Sequence, residues 1–311
     1  LMNIKEGDEI ILPSFTYVST VIPFVSRGAK PIFVDIDPIS LNIDERLIEK
    51  NITNKTVAII GMHYGGHSCN NEKIKAICEK NTLTYIEDAA MSFGIKDKNK
   101  YLGSFGDFAV ISFDVTKHVS AIQGGLLIIN NDKYLERANK IYHLGTNRTD
   151  FFNGSKPYFE WVDIGSKFQL TETNAGILHE QLLNFEEIIM QRNNYSKQYY
   201  QLLKPLEEEG KIKLLAQEKL DNNAHLFYII LKSKKERDLL LIHLQKNNIE
   251  AFFHYIPLHS SEMGKRIGKF ESENDFTTKI SETLLRIPLH TNLSEEDILS
   301  VTSQINHFFK N

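Results

Sequence analysis

Two residues have the type and placement for covalent chemistry: Asp88 and Lys117. Asp88 closes the apolar run Thr84-Tyr85-Ile86 within Ile86-Glu87-Asp88-Ala89-Ala90. A carboxylate at the exit of a buried strand is costly unless something positive meets it. It reads either as a turn or helix-capping aspartate or as the partner of a protonated ring nitrogen. Lys117 follows Val110-Ile111-Ser112-Phe113 and precedes Ser120–Gly125. A lone lysine is usually a solvated cation. In a loop just past a buried strand, partial burial lowers the amine pKa and frees it to attack a carbonyl. Ser112 can end the strand or offer its hydroxyl to a phosphate. Tyr17, after Pro13-Ser14-Phe15-Thr16, can pack in the core or stack on a planar ring.

The elements that would position these residues alternate. Short apolar runs, Glu9–Leu12, Lys30–Val34, Val57–Met62, Thr84–Ile86, Phe108–Phe113 and Leu126–Ile129, read as buried strands. Helix-like segments lie between them: Thr20–Arg27, Glu45–Asn51, Glu72–Glu79 and Tyr134–His143. This alternation predicts an α/β fold with a mostly parallel central sheet covered by helices. In such sheets the binding crevice lies beyond the carboxyl ends of the strands, where Ser14, Thr16, His63, Glu87, Asp88, Asp114 and Lys117 fall. A helical pattern from Thr171 to Leu203 leads to Pro205, which marks the expected end of a large domain (1–204). Residues 205–311 read as a smaller C-terminal α+β domain: strand 226–231, helix 236–247, strand 250–254, helix 276–285 and helix 295–309. Ser294 and three following acids suit the start of the last helix.

The composition narrows the classes. Of 311 residues, 41% are hydrophobic and 24% charged, the balance of a soluble globular protein. With 36 Lys+Arg against 40 Asp+Glu, the net charge of −4 disfavours a nucleic-acid-binding protein. Two cysteines, Cys69 and Cys78, are too few for a disulfide framework or a Cys-rich zinc site, and read as free thiols. No metal site is expected. No apolar run approaches the ~20 residues of a membrane span, and with no visible leader the cytoplasm is the expected compartment. No G-x-G-x-x-G follows the first strand, which disfavours a dinucleotide-binding dehydrogenase.

Ser112-Phe113-Asp114-Val115-Thr116-Lys117 with trailing Gly124-Gly125 resembles the S-F-x-x-T-K-x-x-x-x-G-E-G-G signature of the DegT/StrS-type nucleotide-sugar aminotransferases. Ile86–Ala90 and Pro13–Thr20 match the same family. Gly145–Arg148, Trp161–Ser166 and His254-Tyr255-Ile256-Pro257-Leu258-His259 look like its dTDP-4-amino-4,6-dideoxygalactose transaminase branch. The resemblance covers essentially the whole chain.

It implies a fold-type I PLP (pyridoxal 5′-phosphate) transferase that moves an amino group from an amino acid, glutamate by expectation, to a 4-keto-6-deoxy nucleotide sugar in glycan precursor synthesis. By the same resemblance Lys117 holds PLP covalently and moves the proton, and Asp88 pairs with the pyridine nitrogen. Tyr17 stacks on the ring, and Ser112 binds the cofactor phosphate. The sites are implied to lie at a homodimer interface, where Lys167 stands at a phosphate-contacting position that is usually Asn. His254 and Tyr255 are implied to approach the sugar nucleotide. The chain departs from the pattern at Met91 (usually Gln or His), at Asp114 (commonly His) and at Ile122-Gln123 in place of Gly-Glu. The family also carries a further N-terminal stretch with a phosphate-cradling turn, so the chain is expected to lack its first segment, with weaker cofactor affinity if it is complete as given. Two alternatives follow: a non-catalytic sugar-nucleotide binder or decayed remnant, and a PLP-dependent sugar dehydratase. The dehydratase branch replaces the lysine with histidine, whereas Lys117 is retained.

Overall fold

Apolar runs closed by Pro, Asp or Ser build the strands that carry the candidate residues. The computed structural model describes residues 1–215 and 225–310. Its strands are β1 (Glu9–Pro13), β2 (Lys30–Val34), β3 (Thr56–Met62), β4 (Thr84–Asp88), a short hairpin of β5 (Lys96–Asp97) and β6 (Lys100–Tyr101), β7 (Phe108–Ser112), β8 (Gly125–Ile129), β9 (Lys213–Leu214), β10 (Phe227–Ile230), β11 (Lys269–Phe270) and β12 (Leu284–Ile287). Seven form one sheet in the order β11-β2-β1-β3-β4-β7-β8. Every pairing in it is parallel except β7 with β8. The expected α/β architecture with a mostly parallel sheet is therefore present.

Side chains alternate across the sheet, as the two-residue strand period requires. Ile11, Ile59 and Tyr85 pack on one face with Ile74, Ile77 and Cys78 of helix α2 (Asn71–Asn81, after the four-residue α1 at Ile22–Val25). Ile10, Leu12, Ile60 and Ile86 pack on the other with Val21 and Leu258. The chain turns back at β1, which has β2 on one side and β3 on the other. The carboxyl ends of β1, β3, β4 and β7 all open to the same edge, the usual place for a ligand in such sheets.

The remaining helices are α3 (Leu135–Tyr142), α4 (Arg148–Phe152), α5 (Glu172–Leu183), α6 (Phe185–Glu208), α7 (Lys234–Lys246), α8 (Glu262–Ile267), α9 (Phe276–Thr283) and α10 (Glu295–Lys310). Strands β9, β10 and β12 form an antiparallel sheet, and its residues share one core with α6, α7 and α10. That core also takes in Met62 at the end of β3 and Phe15, Tyr64 and Met91 from the loops beyond the large sheet. Asp35, buried at the end of β2, accepts from Ser272 Oγ at 2.6 Å and from the Phe276 and Thr277 amides at 2.9 and 2.8 Å. It thereby caps α9 from outside the helix.

Several elements differ from the sequence expectation, each for a local reason. The single helix expected over 171–203 is two, broken at Asn184, whose amide donates to Glu180 O at 2.8 Å. That bond comes from the Asn184 side chain and adds to the one its backbone amide makes to the same carbonyl at 3.3 Å, so the helix is capped there. The break turns Phe185 into the small core of Ala89, Ile111, Phe113, Val119 and Ala121. Pro205 does not end α6, which runs on to Glu208 and buries Leu206. Residues 45–51 form two 3₁₀ turns, the first capped by Asp44. Pro23 near the start of α1 accompanies a helix much shorter than the expected 20–27. Residues 250–254 form no strand; among the described residues their one bridge is Phe252 with Arg286. The end of the helix expected over 276–285 is instead the start of β12, which pairs with β10.

Candidate active site

Strand β4 delivers Asp88 to the open edge of the sheet. Its Oδ1 accepts from the Ala90 amide at 3.1 Å, and its Oδ2 from the Thr20 hydroxyl at 2.5 Å. Thr16 Oγ1 lies 2.7 Å from Thr20 Oγ1 and, with the Thr20 proton committed to Asp88, is left as the donor. The hydroxyls of the loop after β1 thus orient the carboxylate. Each carboxylate oxygen retains acceptor capacity. Among the described residues no cation forms an ion pair with Asp88.

Strand β7 runs parallel to β4 and releases the loop that holds Lys117. Buried Phe113, Val119 and Ala121 anchor this loop, and the Ala121 amide bonds to Phe113 O at 2.8 Å. Asp114 organises the turn, accepting from the Thr116 amide at 3.0 Å and its hydroxyl at 2.8 Å. Lys117 is half-buried, and its Nζ has no hydrogen-bond acceptor among the described residues. Burial lowers its pKa, while the charges of Asp88 and Asp114 pull the other way and Arg286 reinforces the lowering. The amine and the Asp88 carboxylate therefore feel each other directly. Ser112 lies at the end of β7; its Oγ accepts from the Asp114 amide at 3.3 Å, which leaves the hydroxyl proton free to be donated.

The third wall comes from the C-terminal third of the chain. The Leu258 amide bonds to Ser14 O at 3.1 Å, and His259 Nδ1 lies 2.8 Å from Ser14 Oγ. His259 stacks on Phe270 at 3.8 Å. These contacts hold the segment bearing His254 and Tyr255 against the end of β1. The rings of His254 and Tyr255 stack at 4.0 Å. Arg286 Nη1 donates to His254 Nε2 at 2.5 Å, so Nδ1 carries the imidazole proton and faces Tyr64 Oη at 3.2 Å. Burial, with the charges of Arg286 and Lys117, pushes the His254 pKa down to about 2. This imidazole is neutral at any working pH. Burial raises the Tyr255 phenol, which also feels Arg286, Asp88 and Tyr17.

The structure thus brings Asp88, Lys117, His254 and Tyr255 within electrostatic reach of one another, with Ser112 and Tyr17 on the same sheet edge. Tyr17 is 61% exposed, so it is not a core residue. Lys167 stands apart on an exposed stretch, bridged through its backbone to His143. Met91 is buried in the core, its sulfur accepting from the Gly65 amide at 3.3 Å. Ile122 has φ of +64° and occupies the place where the family signature has glycine. Cys69 and Cys78 are free and buried. A cavity of about 250 Å³ lined by residues including Leu41, Tyr200, Glu207 and Tyr228 lies elsewhere, and no candidate residue lines it. Sequence reasoning missed Thr20, Tyr64 and Arg286. Arg286 did leave a trace, a charged residue inside the apolar run Leu284–Ile287.

These residues fit a pyridine cofactor. Asp88 is a carboxylate with spare acceptor capacity and no cation, suited to a protonated ring nitrogen. Lys117 is an unpartnered amine of lowered pKa, and Ser112 has a free hydroxyl proton.

Comparison with known proteins agrees. Residues 1–306 match the model of the DegT/DnrJ/EryC1/StrS aminotransferase family. A pleiotropic regulatory protein of Geobacillus stearothermophilus is 32% identical over 310 residues, covering 99% of this chain and 80% of that protein. The GDP-perosamine synthase of Escherichia coli O157:H7 is 30% identical over 317 residues, covering 99% and 81%. The structure of Helicobacter pylori PseC, an aminotransferase involved in pseudoaminic acid biosynthesis, superposes with a TM-score of 0.85 at 25% identity, covering 98% and 80%. The chain belongs to the DegT/DnrJ/EryC1/StrS aminotransferase family and has the fold-type I architecture. It is an enzyme of the sugar-aminotransferase class, and the cofactor of that class is PLP.

Proposed function

We propose that this aminotransferase moves an amino group from an amino acid, glutamate in our reading, to the keto carbon of a 4-keto-6-deoxy nucleotide sugar. The product would be a cytoplasmic precursor for cell-surface glycans, of the dTDP-4-amino-4,6-dideoxygalactose type. The observation that carries the reading is the placement of Lys117 and Asp88 on one sheet edge: a half-buried amine without an acceptor and a carboxylate without an ion-pair partner, close enough for the Asp88 charge to act on the amine. Bound between them, PLP supplies the electron sink that transamination needs.

The chain's own residues divide the remaining work. Lys117 would hold the cofactor through Nζ, and the same amine, when free, would carry the proton that the reaction moves. Its lowered pKa keeps a larger share of the amine neutral near physiological pH than a surface lysine has. Asp88, aligned by Thr20 and the Ala90 amide, holds a proton on the ring nitrogen. Tyr17 covers the ring face, and Ser112 donates to the cofactor phosphate. His254 and Tyr255 line the side from which a sugar nucleotide enters. In this reading residues 1–204 make the cofactor-binding domain and 205–311 the smaller domain that completes the cleft.

The reading includes a homodimer in which Lys167 reaches the partner's cofactor phosphate. Phe152, Tyr158, Ile164 and Phe168 are exposed, as is Trp161 at 78%, an apolar surface around Lys167 that suits a second copy of the chain.

The test is spectroscopic and chemical. The protein reconstituted with PLP should show a visible absorbance band that Lys117→Ala abolishes. With glutamate and a 4-keto-6-deoxy nucleotide sugar, mass spectrometry should find the amino sugar. A visible band without amino transfer to any keto sugar nucleotide would support the non-catalytic binder instead.

A further inference from the structure

His118 follows Lys117 directly, and its imidazole is buried, 5% exposed. It stands among Lys117, Arg192 of α6 and His225, two residues before β10. Burial lowers its pKa to about 4; the bond to Phe93 O pulls upward, and the charges of Arg192 and Lys117 add to the lowering. The ring is therefore neutral near physiological pH, with one donor nitrogen and one acceptor.

The partners settle which is which. His118 Nε2 lies 3.1 Å from Phe93 O, and a carbonyl can only accept, so Nε2 carries the proton. Nδ1 is then the acceptor and takes the proton of His225 Nδ1 across a longer 3.4 Å. The His225 carbonyl in turn accepts from Arg192 Nη2 at 2.9 Å. Among the described residues no other donor reaches Phe93 O.

Phe93 ends the short stretch of chain that leaves Asp88, and its ring packs on Phe113, where the lysine loop begins, at 5.3 Å. The segment after Asp88 and the loop that holds Lys117 are thus joined twice. The apolar contact between the rings is non-directional. The His118 bond is directional, and it acts on the residue next to the reactive amine.

We propose that His118 is a positioning residue: its imidazole ties the Lys117 backbone to the segment after Asp88 and so sets the separation of amine and carboxylate. The proposal rests on the transaminase reading and deepens it. A cofactor held by Lys117 at one end and Asp88 at the other needs that separation fixed, since a misplacement of about 1 Å can cost roughly 100-fold in rate. The lysine side chain is a flexible stem and does not set it alone. Through His225 the same imidazole joins the loop to the antiparallel sheet of the C-terminal third.

The test compares wild type with three variants, each loaded with PLP. His118→Gln keeps an N–H at the reach of Nε2 and so the bond to Phe93. His118→Asn puts its amide at the reach of Nδ1, towards His225, and loses the Phe93 bond. His118→Leu loses both. With glutamate and a 4-keto-6-deoxy nucleotide sugar, we expect kcat to fall about 100-fold in His118→Leu and His118→Asn, with KM for glutamate within about twofold. The PLP concentration that half-saturates the visible band should rise about 10-fold in the same two variants. His118→Gln should recover both quantities to within about fivefold of wild type. If His118→Leu does not fold, glutamine against asparagine decides. Thermal melts of the unloaded proteins are the control: losses that merely follow the melting temperature across the variants overturn the proposal in favour of a structural histidine. Rescue by asparagine in place of glutamine overturns it too, because the anchor is then His225. A visible band and turnover indifferent to residue 118 overturn the proposal alone, whereas a wild type without the band takes the transaminase reading down with it.

Discussion

Glu87 and Asp88 are consecutive residues of β4, and strand pleating sends them to opposite faces. Glu87 is fully buried and saturated. Its Oε1 accepts from the Phe105 and Gly106 amides, each at 2.7 Å, and its Oε2 from the Gly103 amide at 2.8 Å and His63 Nε2 at 3.0 Å. The Cys69 amide points at His63 Nδ1 from 3.2 Å, which fixes Nε2 as the protonated nitrogen. Every acceptor position of that carboxylate is used. Asp88 is only partly covered, keeps acceptor capacity, and its charge acts on Lys117, whose Nζ has no acceptor among the described residues. A polar cluster that satisfies itself serves the fold, whereas one left incomplete is arranged for something from outside. Had the signature been read by residue type alone, Glu87 and Asp88 would have looked equally functional.

The largest effect should come from the incomplete face. Lys117→Ala should lower turnover by at least about 10³-fold. Stability should stay within about 0.5 kcal/mol of wild type or rise, because the lost cation is half-buried and unpartnered. Turnover assays beside urea melts check both. If the variant unfolds, the amine is structural and the contrast with Glu87 collapses.

Glu87→Gln should do the reverse. Its side-chain NH2 would confront backbone donors that now bond to the carboxylate, at a cost of roughly 1–3 kcal/mol for each bond lost. The pH dependence sharpens the point. Burial alone would raise the Glu87 pKa, but His63 and the Gly106 and Gly103 amides outweigh it and hold it below the ordinary 4.5. A depressed carboxylate contributes stability that is complete above its unfolded pKa of about 4.3 and is lost as pH falls through the folded value. Wild type should therefore weaken on acidification from about pH 5 toward pH 2, by more than Glu87→Gln does. Urea midpoints across that range measure the difference.

The two faces were unequally legible. Lys30–Val34 is a strand with the expected bounds, Asp88 and Ser112 end strands, and Lys117 lies in the loop after one, where the pattern placed it. A buried strand announces itself by local composition. Arg286 did not, because its placement comes from β12 pairing with β10 and from its bond to His254, contacts between residues far apart in the chain. The saturated state of Glu87 was equally hidden, since its partners are backbone amides that any residue type could supply. The break at Asn184 depended on Phe185 finding its place. Its ring occupies the position that a Cβ on Gly94 would need, 2.2 Å from Cζ.

That last contact offers a milder perturbation of the site's floor. Gly94 has φ of +76°, and alanine there would meet both the Phe185 ring and an unfavourable backbone region. We expect Gly94→Ala to cost about 1–3 kcal/mol. Adding Phe185→Ala should cost less than the two single effects together, because the clash disappears with the ring. Simple additivity in thermal melts would place the strain elsewhere.

The smallest effect belongs to Ile122 and has the opposite sign. This β-branched residue holds φ of +64° at 55% exposure, so it bears the left-handed conformation with little burial to offset it. An L-residue in that region costs roughly 1–2 kcal/mol. Glycine carries no such penalty but loses more chain entropy on folding, by about 0.5–1 kcal/mol. Ile122→Gly should therefore stabilise the protein by about 0.5–1 kcal/mol, visible as a higher urea midpoint at unchanged slope. The Ser120 hydroxyl accepts from the Ile122 amide at 2.9 Å, and the Asn174 side chain donates to Gln123 O at 2.8 Å. These bonds hold the loop from both sides and do not depend on the isoleucine side chain. If the substitution destabilises, the Ile122 side chain makes contacts that outweigh its backbone strain.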